Sequence, residues 1–177
     1  AHLELVDPHD FPRFRQLGVL ASMQLQWAER DAYTVDALRP YVGERRWRFL
    51  YPAGSLHRAG ALLCGGSDWP VDPLLPFRAM EMAVNRTADE VYEGYPQPLR
   101  PRAEGISLAL AARMHTRNAA FQLHLERRSG QIKRGMRGDV IVVDRDIFSV
   151  PLTRVSTARV LLTAVGGRIA HRAKALA

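Results

Sequence analysis

Ala61-Leu-Leu-Cys64, running into Gly65-Gly66-Ser67-Asp68-Trp69-Pro70, is the stretch on which the fold of this chain turns. Four apolar or small residues that stop at two glycines and an acid read as a buried strand entering a tight turn. Leu75, Ala79 and Met82 then recur at helical intervals as the inward stripe of a following helix. Strand, glycine turn and helix in that order make one βα unit of a parallel-sheet protein. Ligands in such folds gather at the carboxyl ends of strands, which is where Asp68 stands.

The same rhythm extends upstream. His2 to Val6 reads as the end of a strand, and Asp7, Pro8 and Asp10 cap a helix through Phe11, Phe14 and Leu17 that closes at Gly18. Val19 to Met23 is the next strand, and Thr34 to Ala59 holds one or two helices, including Leu50 to His57, before Gly60. Downstream, Pro96, Pro98 and Pro101 break the chain ahead of an alanine-rich helix from about Ala103 to Met114, which continues or restarts through Phe121. After Gly130 the texture becomes β-rich. Val140 to Val143, bounded by Gly138, Asp139 and Asp144, has the unbroken β-branched character of a strand buried on both faces. Val160 to Val165, Gly166-Gly167 and Arg168 to Ala170 read as a hairpin. A closed (β/α)₈ barrel takes about 250 residues, about 30 per unit. The βα portion here supplies roughly three units, so it is either a piece of a longer barrel or a small open sheet.

The 177 residues are 47% hydrophobic and 24% charged, which excludes a disordered, collagen-like or disulfide-stapled chain. No apolar run approaches the roughly 20 residues of a membrane span, and the opening residues lack the layout of a secretory leader. With Cys64 the only cysteine, an internal disulfide is impossible and the cytoplasm is the expected compartment. The net charge is +7, and since Lys133 and Lys174 are the only lysines, 23 of the 25 cations are arginine. They are scattered and often flanked by acids (Glu29-Arg30-Asp31, Asp144-Arg145-Asp146), with no basic stripe, so nucleic acid is not the expected partner.

Asp68, in a glycine-flanked turn past an apolar strand, is a candidate metal ligand or general base. It would equally serve as the cap of a helix beginning near Pro73, as would Asp72. His2 holds the corresponding place after the first strand. An imidazole and a carboxylate converging from two strand ends make half of a hydrolytic zinc site, which needs three protein ligands and a water. Trp27 after the second strand and Trp69 beside Asp68 are candidates to line a substrate pocket. His9 and His57 read as surface positions, His115 and His124 as positions on connecting helices, and Cys64 as a small core residue. Phosphate-binding glycine loops and a nucleophile elbow are absent from the sequence.

Several ordered stretches together resemble the amidohydrolase superfamily, in its amidohydrolase family 3 branch. They are His2-Leu-Glu-Leu-Val-Asp-Pro8, Gly18-Val-Leu-Ala-Ser-Met-Gln24, Gly66-Ser-Asp-Trp-Pro-Val71, Thr116-Arg-Asn-Ala-Ala120, Gly130-Gln-Ile-Lys-Arg-Gly135, Gly138-Asp-Val-Ile-Val-Val-Asp-Arg-Asp146 and Val160-Leu-Leu-Thr-Ala-Val-Gly-Gly-Arg168. The resemblance implies a metal-dependent hydrolase in which a (β/α)₈ TIM barrel accompanies a small β-sandwich. Residues 1–118 would be the last part of the barrel, strands six to eight with their helices, and 119–177 the C-terminal share of the sandwich. His2 would then be the metal ligand after strand six. Asp68 would be the strand-eight aspartate that binds metal and takes a proton from the attacking water, and Trp27 would stand where the family often has a histidine. The family's His-x-His and its strand-four and strand-five ligands have no counterpart in this sequence. The resemblance also implies a divalent metal, zinc the expected one, an amide-like small-molecule substrate, and little activity from this chain alone. An open sheet edge further implies a homo-oligomer. The competing expectation is a non-catalytic α/β module that binds a partner through that edge.

Overall fold

The computed structural model describes residues 1–87, 92–99 and 102–176. Its centre is a pair of short parallel strands, β1 (Ala21–Met23) and β2 (Leu63–Gly65), with Ala21 opposite Leu63, Ser22 opposite Cys64 and Met23 opposite Gly65. Ala21, Met23, Leu63 and Cys64 are all at most 1% exposed, so the pair is enclosed on both faces, as the apolar run at 61–64 predicts. Parallel neighbours need a crossover. It is supplied by a π-type turn at Tyr33–Leu38, helix α2 (Arg39–Trp47), kinked at Gly43, and helix α3 (Ala53–Arg58).

Helix α1 (Phe11–Gln16) follows a single turn in which the Asp7 carboxylate accepts from the His9 amide. Phe11 is buried as expected, but Leu17 falls on the helix's C-terminal cap and is exposed, while Gly18 takes the left-handed conformation that ends it. Helix α4 spans Pro76–Asn85 and buries Ala79 and Met82. It begins three residues later than Pro73, so neither Asp68 nor Asp72 caps it, and Leu75, expected on the inner stripe, is the exposed cap residue instead. The alanine-rich segment resolves into a turn at Arg102–Glu104, α5 (Leu108–Met114), capped by the Ser107 hydroxyl, and α6 (Arg117–Gln122). Asn118 at the start of α6 donates its side-chain amide to Leu63 O at 2.8 Å, and the Cys64 thiol donates to Asn118 O at 3.3 Å, which fixes these helices to β2. Pro101 lies outside the described residues.

His2 to Val6 is not a strand. A strand requires a neighbour to share its ladder. Here the His2 amide donates to the Gln24 side chain, Leu3 N donates to Ala1 O, and His2 and Leu3 both sit at positive φ.

The C-terminal part is an antiparallel sheet in the order β3 (Val140–Val143), β4 (Val160–Val165), β5 (Arg168–Arg172), the last two joined by the Gly166-Gly167 turn. β3 is not buried on both faces: Ile141 and Val142 are about half exposed. Its sequence shows β propensity, and propensity does not require a covering layer. The connection between β3 and β4 reaches into the main core, where Val155 is fully buried beside the helices and Ile147 joins the same apolar cluster. Glu81 of α4, itself buried, accepts from the Ser156 amide at 2.7 Å across this junction. Among the described residues, no helix is long and apolar enough to cross a membrane.

Candidate active site

The segments leaving β1 and β2 approach one another at their carboxyl ends. Gln26, past β1, donates to the carbonyl of Ser67, past β2, at 2.8 Å. Gln24, buried at the end of β1, accepts the His2 amide at 3.0 Å and so brings the His2 segment to the same end of the sheet. The three segments enclose a cavity of about 450 Å³ whose wall includes His2, Trp27 and Asp68. Larger concavities of about 660 to 680 Å³ elsewhere hold neither His2 nor Asp68.

Trp27 lies flat against His2, with ring centroids 5.3 Å apart and planes 17° from parallel, and its indole N–H donates to Asp72 at 3.2 Å. Asp72, one of the two cap candidates in the sequence, therefore holds Trp27, and Trp27 holds the imidazole. His2 Nδ1 is buried without a hydrogen-bond partner, a costly state for a polar atom. Asp68 is exposed on the cavity wall, its backbone in the left-handed region at φ 59°, and its carboxylate has no partner among the described residues. Positive φ at a residue other than glycine costs energy and concentrates at working sites. Trp69, next in sequence, is 66% exposed and does not line this cavity.

Glu4, Asp31, Tyr33 and Tyr51 complete the wall that matters chemically, and none of them is singled out by the sequence pattern. Asp31 is fixed by its own turn, accepting the Thr34 amide at 2.7 Å, while the Thr34 hydroxyl donates to Glu29 O at 2.7 Å. The Tyr51 amide donates to Glu4 O at 2.8 Å. Burial, with Glu4 the largest of the neighbouring charges, holds the Tyr51 phenol protonated well beyond its ordinary range. Gln24 had a legible signal, since it is the first residue past an apolar strand. Tyr51 and Asp31 had none, because they come from irregular segments.

The donor set suits a cation only in part. An imidazole with an unpartnered nitrogen and a free carboxylate face one cavity, but among the described residues no group of three His, Cys, Asp or Glu could hold a metal ion. Cys64 is fully buried in the strand, and burial pushes its thiol pKa up, away from nucleophilic reactivity. His115 packs against β2 rather than in this cavity, its pKa lowered to about 4 by burial.

The sequence matches the model of the amidohydrolase family over residues 1–171. Among curated proteins it is 23% identical over 171 residues to YtcJ of Bacillus subtilis, described as an amidohydrolase, covering 96% of this chain and 31% of that protein. It is 32% identical over 118 residues to N-substituted formamide deformylase of Arthrobacter pascens, covering 67% of this chain and 21% of that protein. A metal-dependent hydrolase of uncharacterised function from Pyrococcus furiosus has a similar structure, with a TM-score of 0.63 and 25% identity, over 82% of this chain and 27% of the other. The chain thus spans less than a third of the length of the curated relatives it matches.

Proposed function

The chain belongs to the amidohydrolase family, and from that premise we propose that it carries part of the active site of a metal-dependent hydrolase cleaving a non-peptide, amide-like carbon–nitrogen bond. The observation that carries this reading is the convergence of His2, with its unpartnered buried Nδ1, and the free carboxylate of Asp68 on one cavity at the carboxyl ends of a parallel strand pair.

His2 and Asp68 would hold a divalent metal, zinc being the expected one, together with ligands that the described residues do not supply. A metal bound there lowers the pKa of water towards about 7 and polarises the substrate carbonyl. Asp68 takes the proton of the attacking water on a carboxylate oxygen and returns it to the leaving nitrogen. Trp27, clamped by Asp72, keeps the His2 ring in one orientation and walls the substrate. Residues 1–118 are read as the closing share of a TIM barrel and 119–177 as a share of a β-sandwich, in keeping with the parallel pair and the three-stranded antiparallel sheet. The setting is read as cytoplasmic, with a small-molecule substrate and no nucleic acid. Membership of a family of hydrolases favours this reading over a non-catalytic module.

The test joins metal analysis by plasma mass spectrometry to amidase turnover. This chain alone is expected to hold less than stoichiometric metal and to turn over negligibly. In the longer enzyme, Asp68→Asn should keep the fold and lower kcat by roughly 10²–10⁴-fold, the range of general acid–base catalysis. Near-normal turnover by that variant would end the assignment of Asp68.

A further inference from the structure

The whole chain carries a net charge of +7, yet among the described residues no arginine or lysine lines the cavity that holds His2 and Asp68. Three carboxylates, Glu4, Asp31 and Asp68, do. Arginines of the neighbouring segments are committed elsewhere. Arg30, between Glu29 and Asp31, is buried and donates to the Pro96 carbonyl. Arg78 pairs with Glu29 at 2.7 Å. Arg86 donates to the carbonyls of Leu50, Tyr51 and Leu99.

A second observation points to a ligand. Tyr51 is 1% exposed and lines the cavity, yet its hydroxyl has no hydrogen-bond partner among the described residues. A phenol so enclosed ordinarily finds an acceptor or donor, and here the cavity is the place left for one. Tyr33, 61% exposed, stands at the rim of the same wall. Carboxylates beside phenol side chains can hold organic cations by Coulomb attraction, joined by the ring's negative face where that face is open to the ligand.

We infer that the cavity selects substrates bearing an ammonium group close to the amide-like bond, held by Asp31 and Glu4 against Tyr33 and Tyr51, and turns away substrates bearing a carboxylate. The inference rests on the reading of this cavity as a substrate site and adds the substrate's charge to it. If Asp68 is engaged by a metal, Asp31 and Glu4 remain for the ammonium group.

Binding of benzylammonium, benzyl alcohol and benzoate to the chain as it stands, followed by ligand-observed NMR and calorimetry, tests it without requiring turnover or metal. Benzylammonium should bind about tenfold more tightly than benzyl alcohol, with benzoate weakest, and added salt should reduce the preference. Asp31→Asn and Glu4→Gln, each checked for its fold by circular dichroism, should each cut the preference severalfold by weakening benzylammonium binding. Equal binding of the three probes, or a preference that survives both substitutions together, overturns the inference. Because the readout is affinity, a failure of hydrolysis would sink the proposed function and leave charge selection standing, and the reverse also holds.

Discussion

His115 shows how a side chain outside the cavity shapes it. Its ring lies against Gly65, where a Cβ would come within 2.8 Å of Cε1 and Nε2, so the last residue of β2 has no room for a side chain. Burial lowers its pKa to about 4, from an ordinary value near 6.5. The folded state therefore binds fewer protons than the unfolded one between these values. His115 contributes stability that is whole above about pH 6.5 and is lost as pH falls through about 4. The loss should be on the order of 3 kcal/mol, read from urea unfolding at a series of pH values. His115→Gln should flatten the slope inside that window. Asp139 and Asp144, held low by the groups that donate to them, add their own loss only at more acid pH. At this scale the sequence was readable where a residue ends an apolar run: Asp68 and Trp27 could be picked out as candidates, and the structure puts both on the cavity. Tyr51, at φ 49° in an irregular connection, obeys no periodicity that would single it out.

Among the elements, α4 owes its position to the residue that ends it. Arg86 takes the left-handed conformation and lies in the core, 1% exposed, where burial lowers its pKa to about 10, leaving it charged at neutral pH. Its guanidinium donates to three carbonyls, one of them that of Tyr51, and so ties the end of α4 to a wall of the cavity. Arg86→Ala leaves those carbonyls without donors and should cost about 3 kcal/mol or more, since each unsatisfied buried group costs roughly 1–3 kcal/mol. Arg86→Lys should recover part of that in the same denaturation measurement. The existence and order of the helices were legible from spacing, but the start of α4 was misplaced because Pro73 and Pro76 offer equivalent first-turn positions. The exposure of β3 was illegible for another reason. A run of valine and isoleucine reports fitness for a pleated sheet and says nothing of whether a second layer covers it.

For the molecule as a whole, β1 and β2 each have one neighbour among the described residues, which leaves backbone groups of a parallel pair without a ladder partner on their far sides. Apolar side chains such as Val71, Leu74 and Ile132 are also largely exposed. Open edges together with exposed apolar surface favour association. We expect the chain to form dimers or larger assemblies in size-exclusion chromatography with light scattering; a monodisperse monomer at high concentration would count against this. The general plan, βα units followed by an antiparallel tail, was legible because short strands, glycine turns and helical stripes alternate in the sequence. That the tail contributes to the main core was not, since Ile147 and Val155 sit in a connection with no periodic pattern of its own.

That contribution bears on how the chain is made. A ribosome delivers residues in order, and the apolar cluster that includes Phe11 and Met114 still lacks Ile147 and Val155 until the connection between β3 and β4 has emerged. Until then the helices around β2 enclose an unfilled space and the buried carboxylate of Glu81 lacks the Ser156 amide. Synthesis thus passes through an interval in which the helices of the main core have emerged and the core is still unsealed, the stage at which chaperones would hold the nascent chain and proteases would find it.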